Sequence, residues 1–266
     1  MQTKSLRKLT ALALLPGVAL GQQAEEQRND WQMRAAIYAY TPHIGGAARF
    51  ATAGAGEVDI SANDLIDNTD VAFMGAFEAQ KGRWGFFADS IYMDVGNSIV
   101  GSTTLGQGGV SLPPGVTADA SLDIRATVLS LAANRRLHEG DRGTIDAFAG
   151  VRGIRANAAL DATLSSPIGP IPAAADSVER TAWDAVVGVK GKVDFGKRGQ
   201  WFVPYYVDIG TGDSDRTTQA ATGIGYSFRW GEVFGTYRYL DYDFKSDSLL
   251  SDLEMKGPAI GVSFRF

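Results

Sequence analysis

The sequence predicts an all-β fold: an antiparallel up-and-down transmembrane β-barrel of about ten strands, with eight or twelve as the fallback counts. Three observations predict it. First, the end of the chain alternates, with Pro258, Ile260, Val262, Phe264 and Phe266 on one parity and Gly257, Ala259, Gly261, Ser263 and Arg265 on the other. Successive strand side chains face opposite ways, so one face is bulky and apolar and the other small and polar. That is inverted relative to a soluble barrel and suits one with lipid outside and polar groups inside. Second, the connections alternate between tight turns and longer polar loops. Third, bulky aromatics gather beside the tight turns.

The chain opens with a targeting segment. Lys4, Arg7 and Lys8 precede an apolar stretch from Leu9 to Leu20, and Ala19-Leu20-Gly21 offers small residues for cleavage. The stretch is too short to span a membrane as a helix. Residues 1–21 therefore read as a signal peptide and residues 22–266 as one barrel domain, placed in the outer membrane with both termini periplasmic. There is no cysteine, so no disulfide framework or thiolate metal site is available. Removing the three signal cations from the 25 Lys and Arg leaves 22 against 30 acids, near −8, which argues against nucleic acid as a partner.

The strand candidates run Trp31–Pro42, Thr69–Gln80, Arg83–Val95, Thr117–Arg136 and Gly143–Leu160, then Glu179–Phe195, Gln200–Gly212, Thr217–Trp230, Glu232–Lys245 and Leu253–Phe266. Most reach the roughly 9–11 residues that a tilted spanning strand needs. In the second, Val71, Phe73 and Phe77 oppose Met74 and Glu78. In the sixth, Trp183, Ala185, Val187, Val189 and Val193 oppose Asp184, Gly188, Lys190, Lys192 and Asp194. In the seventh, Trp201, Val203, Tyr205, Val207 and Ile209 oppose Phe202, Pro204, Tyr206 and Asp208. In the eighth, Ala220, Thr222, Ile224, Tyr226, Phe228 and Trp230 oppose Gln219, Ala221, Gly223, Gly225, Ser227 and Arg229. The third and ninth alternate less cleanly, and a bulge is expected where Asp241 and Asp243 follow Tyr237 and Tyr239.

Even-numbered strands lead into short turns at Lys81-Gly82, Leu137–Arg142, Gly196–Gly199 and Gly231. Odd-numbered strands lead into the segments 43–68, 96–116, 161–178, 213–216 and 246–252. Short periplasmic turns and longer external loops are the pattern of an outer-membrane barrel. Trp31, Trp84, Phe195, Trp201, Trp230 and Phe266 all fall beside the short turns and predict a periplasmic aromatic girdle. The first external segment carries Ser61-Ala62-Asn63-Asp64, a capped helical turn. Leu112-Pro113-Pro114-Gly115 and Pro167–Pro172 form stiff apolar loop tips.

Two stretches carry a family resemblance. Asp67–Glu78 with Trp84–Asp89 resembles a hairpin of Gram-negative, proteobacterial outer-membrane β-barrel proteins without assigned activity. The ending Gly261–Phe266, with Phe264 and Phe266, is similar to the terminal signal read by barrel assembly machinery. The resemblance implies location and architecture and transfers no catalytic residue.

The inward parity collects Arg34, Glu78, Asp89, Asp123, Arg125, Asp146, Arg152, Asp184, Lys190, Lys192, Asp208, Arg229, Arg238 and Arg265. Charges of both signs on adjacent strands predict a salt-bridged polar network filling the lumen. The expected function is that of an integral outer-membrane protein, non-enzymatic and structural or surface-interacting. A narrow channel for small polar solutes is the alternative, since ten strands give a lumen little wider than a filled eight-stranded one. A hydrolase is the second alternative, with His43 at the outer rim as base and Asp241 or Asp243 as its orienting acid; His138 reads as a solvated turn residue. No cofactor is expected. Asp213, Asp215, Asp241 and Asp243 are candidates to hold a divalent cation outside the cell. The remaining expected partners are outer-membrane lipid, lipopolysaccharide and the assembly machinery.

Overall fold

In a computed structural model the chain is all β, and the structure describes residues 30–50, 54–61, 63, 69–100, 117–166, 169–196, 198–245 and 250–266. The signal segment lies outside the described residues, as do Ala62 and Asp64 of the Ser61–Asp64 turn and the whole Leu112–Gly115 tip. Among the described residues twelve strands form: β1 (Gln32–Tyr40), β2 (His43–Phe50), β3 (Gly54–Ile60), β4 (Thr69–Lys81), β5 (Trp84–Val100), β6 (Thr117–Gly140), β7 (Gly143–Ser166), β8 (Gly169–Phe195), β9 (Trp201–Gly212), β10 (Ser214–Ser227), β11 (Gly231–Phe244) and β12 (Leu250–Arg265).

Ten of them close a ring. β1 pairs with β4, each strand from β4 to β12 pairs with the next, and β12 returns to β1 from Arg34↔Arg265 to Tyr40↔Ala259. Closure satisfies the edge backbone groups that an open sheet would leave bare. The closing seam ends on paired Met33 and Phe266, whose N–H groups each donate to the other's carbonyl at 3.1 Å. β2 continues the line of β1 along β12 beyond Thr41-Pro42, with β3 folded back upon it. Proline has no N–H to give the ladder, which suits the break. The β2–β3 hairpin is thus an extension of the first stave and leaves the closed ring at ten among the described residues.

Several boundaries move. The Leu137–Arg142 loop shrinks to a two-residue turn at Asp141-Arg142, because β6 runs to Gly140. The segment 161–178 is mostly strand: β7 and β8 reach 24 and 27 residues, and Pro172 pairs with Thr163 inside the ladder. A purely antiparallel hairpin can be extended indefinitely by backbone pairing, whatever its Ala and Pro content near the tip. At the other end, Gly82, Gly196 and Gly199 take φ of 57°, 86° and 62°, the left-handed turn conformations that glycine adopts without strain.

Facing is set by the pleat. One end of the barrel carries an outward apolar band whose margin is the aromatic girdle. Trp31, Trp84, Phe195, Trp201, Trp230 and Phe266 are all between 42% and 69% exposed. Phe195, Trp201, Tyr226, Phe228, Trp230 and Phe264 touch ring to ring in one run across β8 to β12, with centroids 4.7–6.4 Å apart. Beyond the band, β11 stays in regular register through Asp243↔Asp252, with no bulge on β11 between Tyr239 and Asp241. Tyr237, Tyr239, Asp241 and Asp243 share one outward face; what changes is the surroundings of that face.

Candidate functional site: a layered lumen

The lumen is built in three layers, read upward from the girdle. Glu232, buried, is the hub of the first. Its carboxylate accepts from Lys192 Nζ at 3.2 Å, from Arg265, and from the Ser227 and Ser263 hydroxyls at 3.3 and 3.4 Å, with Arg34 at 3.7 Å. Arg136, beside this layer, donates from Nε and Nη2 to the two oxygens of buried Asp146 at 2.8 and 3.2 Å. Glycine shapes the wall: a Cβ at Gly225 would run into the Phe202 ring, over which the Lys192 ammonium lies at 5.0 Å.

The second layer is a largely buried charge network. Lys190 donates to Glu78 at 2.6 Å and sits 4.6 Å above the Phe87 ring. Arg238 donates to Asp89 at 2.7 Å, to the Tyr38 hydroxyl at 2.9 Å and to Gln219 at 3.0 Å, while Tyr38 itself donates to Asp89 at 2.7 Å. Arg152 is completely buried. It grips both oxygens of Asp208, one at 3.0 Å, and also meets Ser130 and Thr217, while Tyr206 donates to Asp208 at 2.6 Å. Asp184 is buried higher up and takes the Ser214 N–H at 2.8 Å; its other oxygen has no hydrogen-bond partner.

The third layer is apolar, which corrects the picture of a lumen filled throughout by polar side chains. On strand after strand the inward face turns from charged to greasy within one rung: Arg238 to Leu240, Asp89 to Ile91, Arg152 to Ile154. Leu240, Tyr242, Ile91, Met93, Val95, Val128, Ile154, Tyr40, Ile44 and Met255 pack together with 0–2% exposure. Among the described residues this layer is close-packed.

The outward face changes in the opposite sense at nearly the same height. Above Val151, Tyr92, Leu129 and Pro258 stand ion pairs, three of them across strands: Arg125 with Asp94 at 2.8 Å, Arg155 with Glu179 at 2.7 Å and Arg216 with Asp241 at 3.9 Å; the fourth, Lys256 with Glu254 at 2.5 Å, lies within β12. These groups stand clear of the apolar band. Partial burial, with Glu254, Asp243 and Asp252 nearby, holds the Asp241 carboxyl above the usual carboxylate range, against the pull of Arg216. The Lys256 hydrogen bond holds Glu254 below it.

Of the inward charges read from sequence, Arg34, Glu78, Asp89, Asp146, Arg152, Asp184, Lys190, Lys192, Asp208, Arg238 and Arg265 line or fill the lumen. Three do not. Asp123 and Arg125 lie on the outward parity of β6, opposite buried Ala126 and Val128, where Arg125 belongs to the external ion pairs. Arg229 sits exposed in the Phe228–Trp230 turn, because β10 stops at Ser227. Arg136, Tyr38 and Tyr206 are network members that sequence reasoning missed; Tyr206 shares the parity of Asp208, which was the available signal.

His43 pairs in register with Lys256, while its neighbour Ile44 is buried inside, so His43 stands on the outer wall and not over the mouth. The four candidate cation ligands are also dispersed. Asp213 accepts the Trp183 N–H at 2.9 Å and Asp241 faces Arg216; among the described residues no three His, Asp or Glu groups converge as a metal site.

The chain is similar to the crystal structure of the outer membrane protease OmpT from Escherichia coli over 90% of its length and 97% of that chain, at 9% identity and a TM-score of 0.50. It is also similar to the translocator domain of the autotransporter NalP from Neisseria meningitidis, over 94% of this chain and 97% of that one, at 13% identity and a TM-score of 0.39. A third likeness is to Ail, the attachment invasion locus protein of Yersinia pestis, over 89% and 98% respectively, at 10% identity and a TM-score of 0.30. No protein-family model and no curated protein matches the chain. The inverted alternation, the aromatic margin and the closed ten-strand ring, together with the OmpT likeness, give this chain the fold of Gram-negative outer-membrane β-barrel proteins.

Proposed function

We propose that the protein is a non-enzymatic, non-conducting outer-membrane barrel that holds a rigid surface above the bilayer. The observation that carries this reading is the apolar third layer. A channel would need water-sized continuity past Ile91, Leu240 and Tyr242, all fully buried. A hydrolase at the rim would need His43 over the mouth, and it lies on the wall. The outer part of the barrel combines a dry apolar interior with an ion-paired exterior, which is how a soluble barrel is built. It suits a segment standing in water among lipopolysaccharide headgroups, where a divalent cation could bridge the outer acids to lipid phosphates. The girdle end with Phe264 and Phe266 then faces the periplasm and the assembly machinery.

The test is electrical. Reconstituted in planar bilayers, the folded barrel is expected to pass no single-channel current. Replacing Leu240 and Ile91 together with glycine, which opens the third layer, should give small leak events. Ion-selective steps from the unmodified protein would overturn the reading in favour of a narrow channel.

A further inference from the structure

The girdle end of the lumen is not filled. A chamber of about 750 Å3 lies inside it, walled by the Glu232 cluster, Lys190, Phe202 and Tyr206, and continues into a pocket of about 230 Å3 beneath Tyr38 and Arg238. That volume falls in the range of small-molecule sites. Only one end is open, because the Arg152–Asp208 and Arg238–Asp89 pairs and the apolar layer close the other.

We propose that this chamber binds a small soluble anion bearing carboxylate, phosphate or sulfonate groups on an apolar body. The argument rests on donors. Glu232 serves three cations at once, Asp194 lies 3.3 Å from Lys192, Glu78 pairs with Lys190 and stands opposite Arg34 across β1 and β4, and Glu139 pairs with Arg136. Glu232 is already saturated by Lys192, Arg265 and two hydroxyls. Arg34 comes only within 3.7 Å of it, beyond hydrogen-bond reach, and each guanidinium has five N–H groups to place. Arg34 and Arg265 keep 38% and 48% of their side chains exposed within the chamber mouth. Two forked cations with free donors fit a planar or tetrahedral oxyanion. Phe202 and Tyr206 supply an apolar wall for the body of such a ligand.

The experiment uses the folded barrel in phosphatidylcholine nanodiscs and the trisulfonate dye pyranine as probe, read by fluorescence anisotropy. Saturable binding is expected, displaced by excess inorganic phosphate and absent for the cationic dye acridine orange. Arg34→Gln with Arg265→Gln should weaken it about tenfold or more. Glu232→Gln, which frees cations, should tighten it. Heat-modifiable gel migration establishes that each variant is folded; if Glu232→Gln is not, the arginine pair decides. No saturable binding, or equal loss from the external variant Arg125→Gln with Arg155→Gln, overturns the proposal. Current in bilayers would sink the closed-barrel reading without touching this result, and the reverse also holds.

Discussion

Arg152 shows what a single buried ion pair does in this barrel. It reaches from β7 past β8 to Asp208 on β9, with both side chains wholly enclosed. Arg152→Met would leave the Asp208 carboxylate buried with only hydroxyl donors, at a cost of about 3–5 kcal/mol. Replacing the pair together, Arg152→Met with Asp208→Leu, should recover most of that, since the penalty is mainly desolvation. Urea unfolding in micelles measures both, and a single variant as stable as the parent would contradict the pairing. The parity of Arg152 and Asp208 was legible in the sequence, because alternation is local. Their partnership was not, since it skips a strand and no sequence spacing encodes it. Asp123 and Arg125 were misplaced for a related reason: a charge on a strand reads as inward only where the outside is lipid, and these two stand above that level.

Within one strand, β8 crosses both environments on the same face. Val187 and Thr181 both point outward, six residues apart, and both are exposed. Arg at Val187 is expected to cost about 2–4 kcal/mol and block assembly, whereas Arg at Thr181, in register with exposed Arg155 and two residues from Glu179, should be tolerated. The fraction of heat-modifiable barrel in each variant checks this, and equal behaviour at the two positions would refute the boundary. The ten-strand ring and the girdle could be read from sequence because period-two patterning and turn residues are properties of short windows. The length of β7 and β8 could not. Their outer halves are rich in Ala and Pro and hold their form through partner strands, not through propensity. A signal was present at Ile91, Met93 and Val95, whose inward apolar run against Tyr92 and Asp94 marks the change of surroundings on β5.

At the scale of the molecule, the ring closes along a seam that runs from Tyr40↔Ala259 to the Met33 and Phe266 pair. Phe266 gives the seam two backbone hydrogen bonds with Met33 and is the most exposed aromatic of the girdle, at 69%. Deleting it should leave export intact while unfolded protein accumulates in the periplasm, as membrane fractionation would show. Normal amounts of folded barrel would remove the terminal signal from the account. The crossing of polarity between inside and outside has one more consequence, which concerns depth. On β12 the apolar face runs from Phe266 to Pro258, about 27 Å along the strand and about 20 Å across the bilayer at a tilt near 40°. A slip of two residues upward or downward would push Lys256 and Glu254 into hydrocarbon or lift the aromatics out of their margin. The barrel is therefore a gauge of fixed span, at home in a thin membrane and mismatched in a thick one, where lipid must compress around it because the wall has no spare apolar rung to offer.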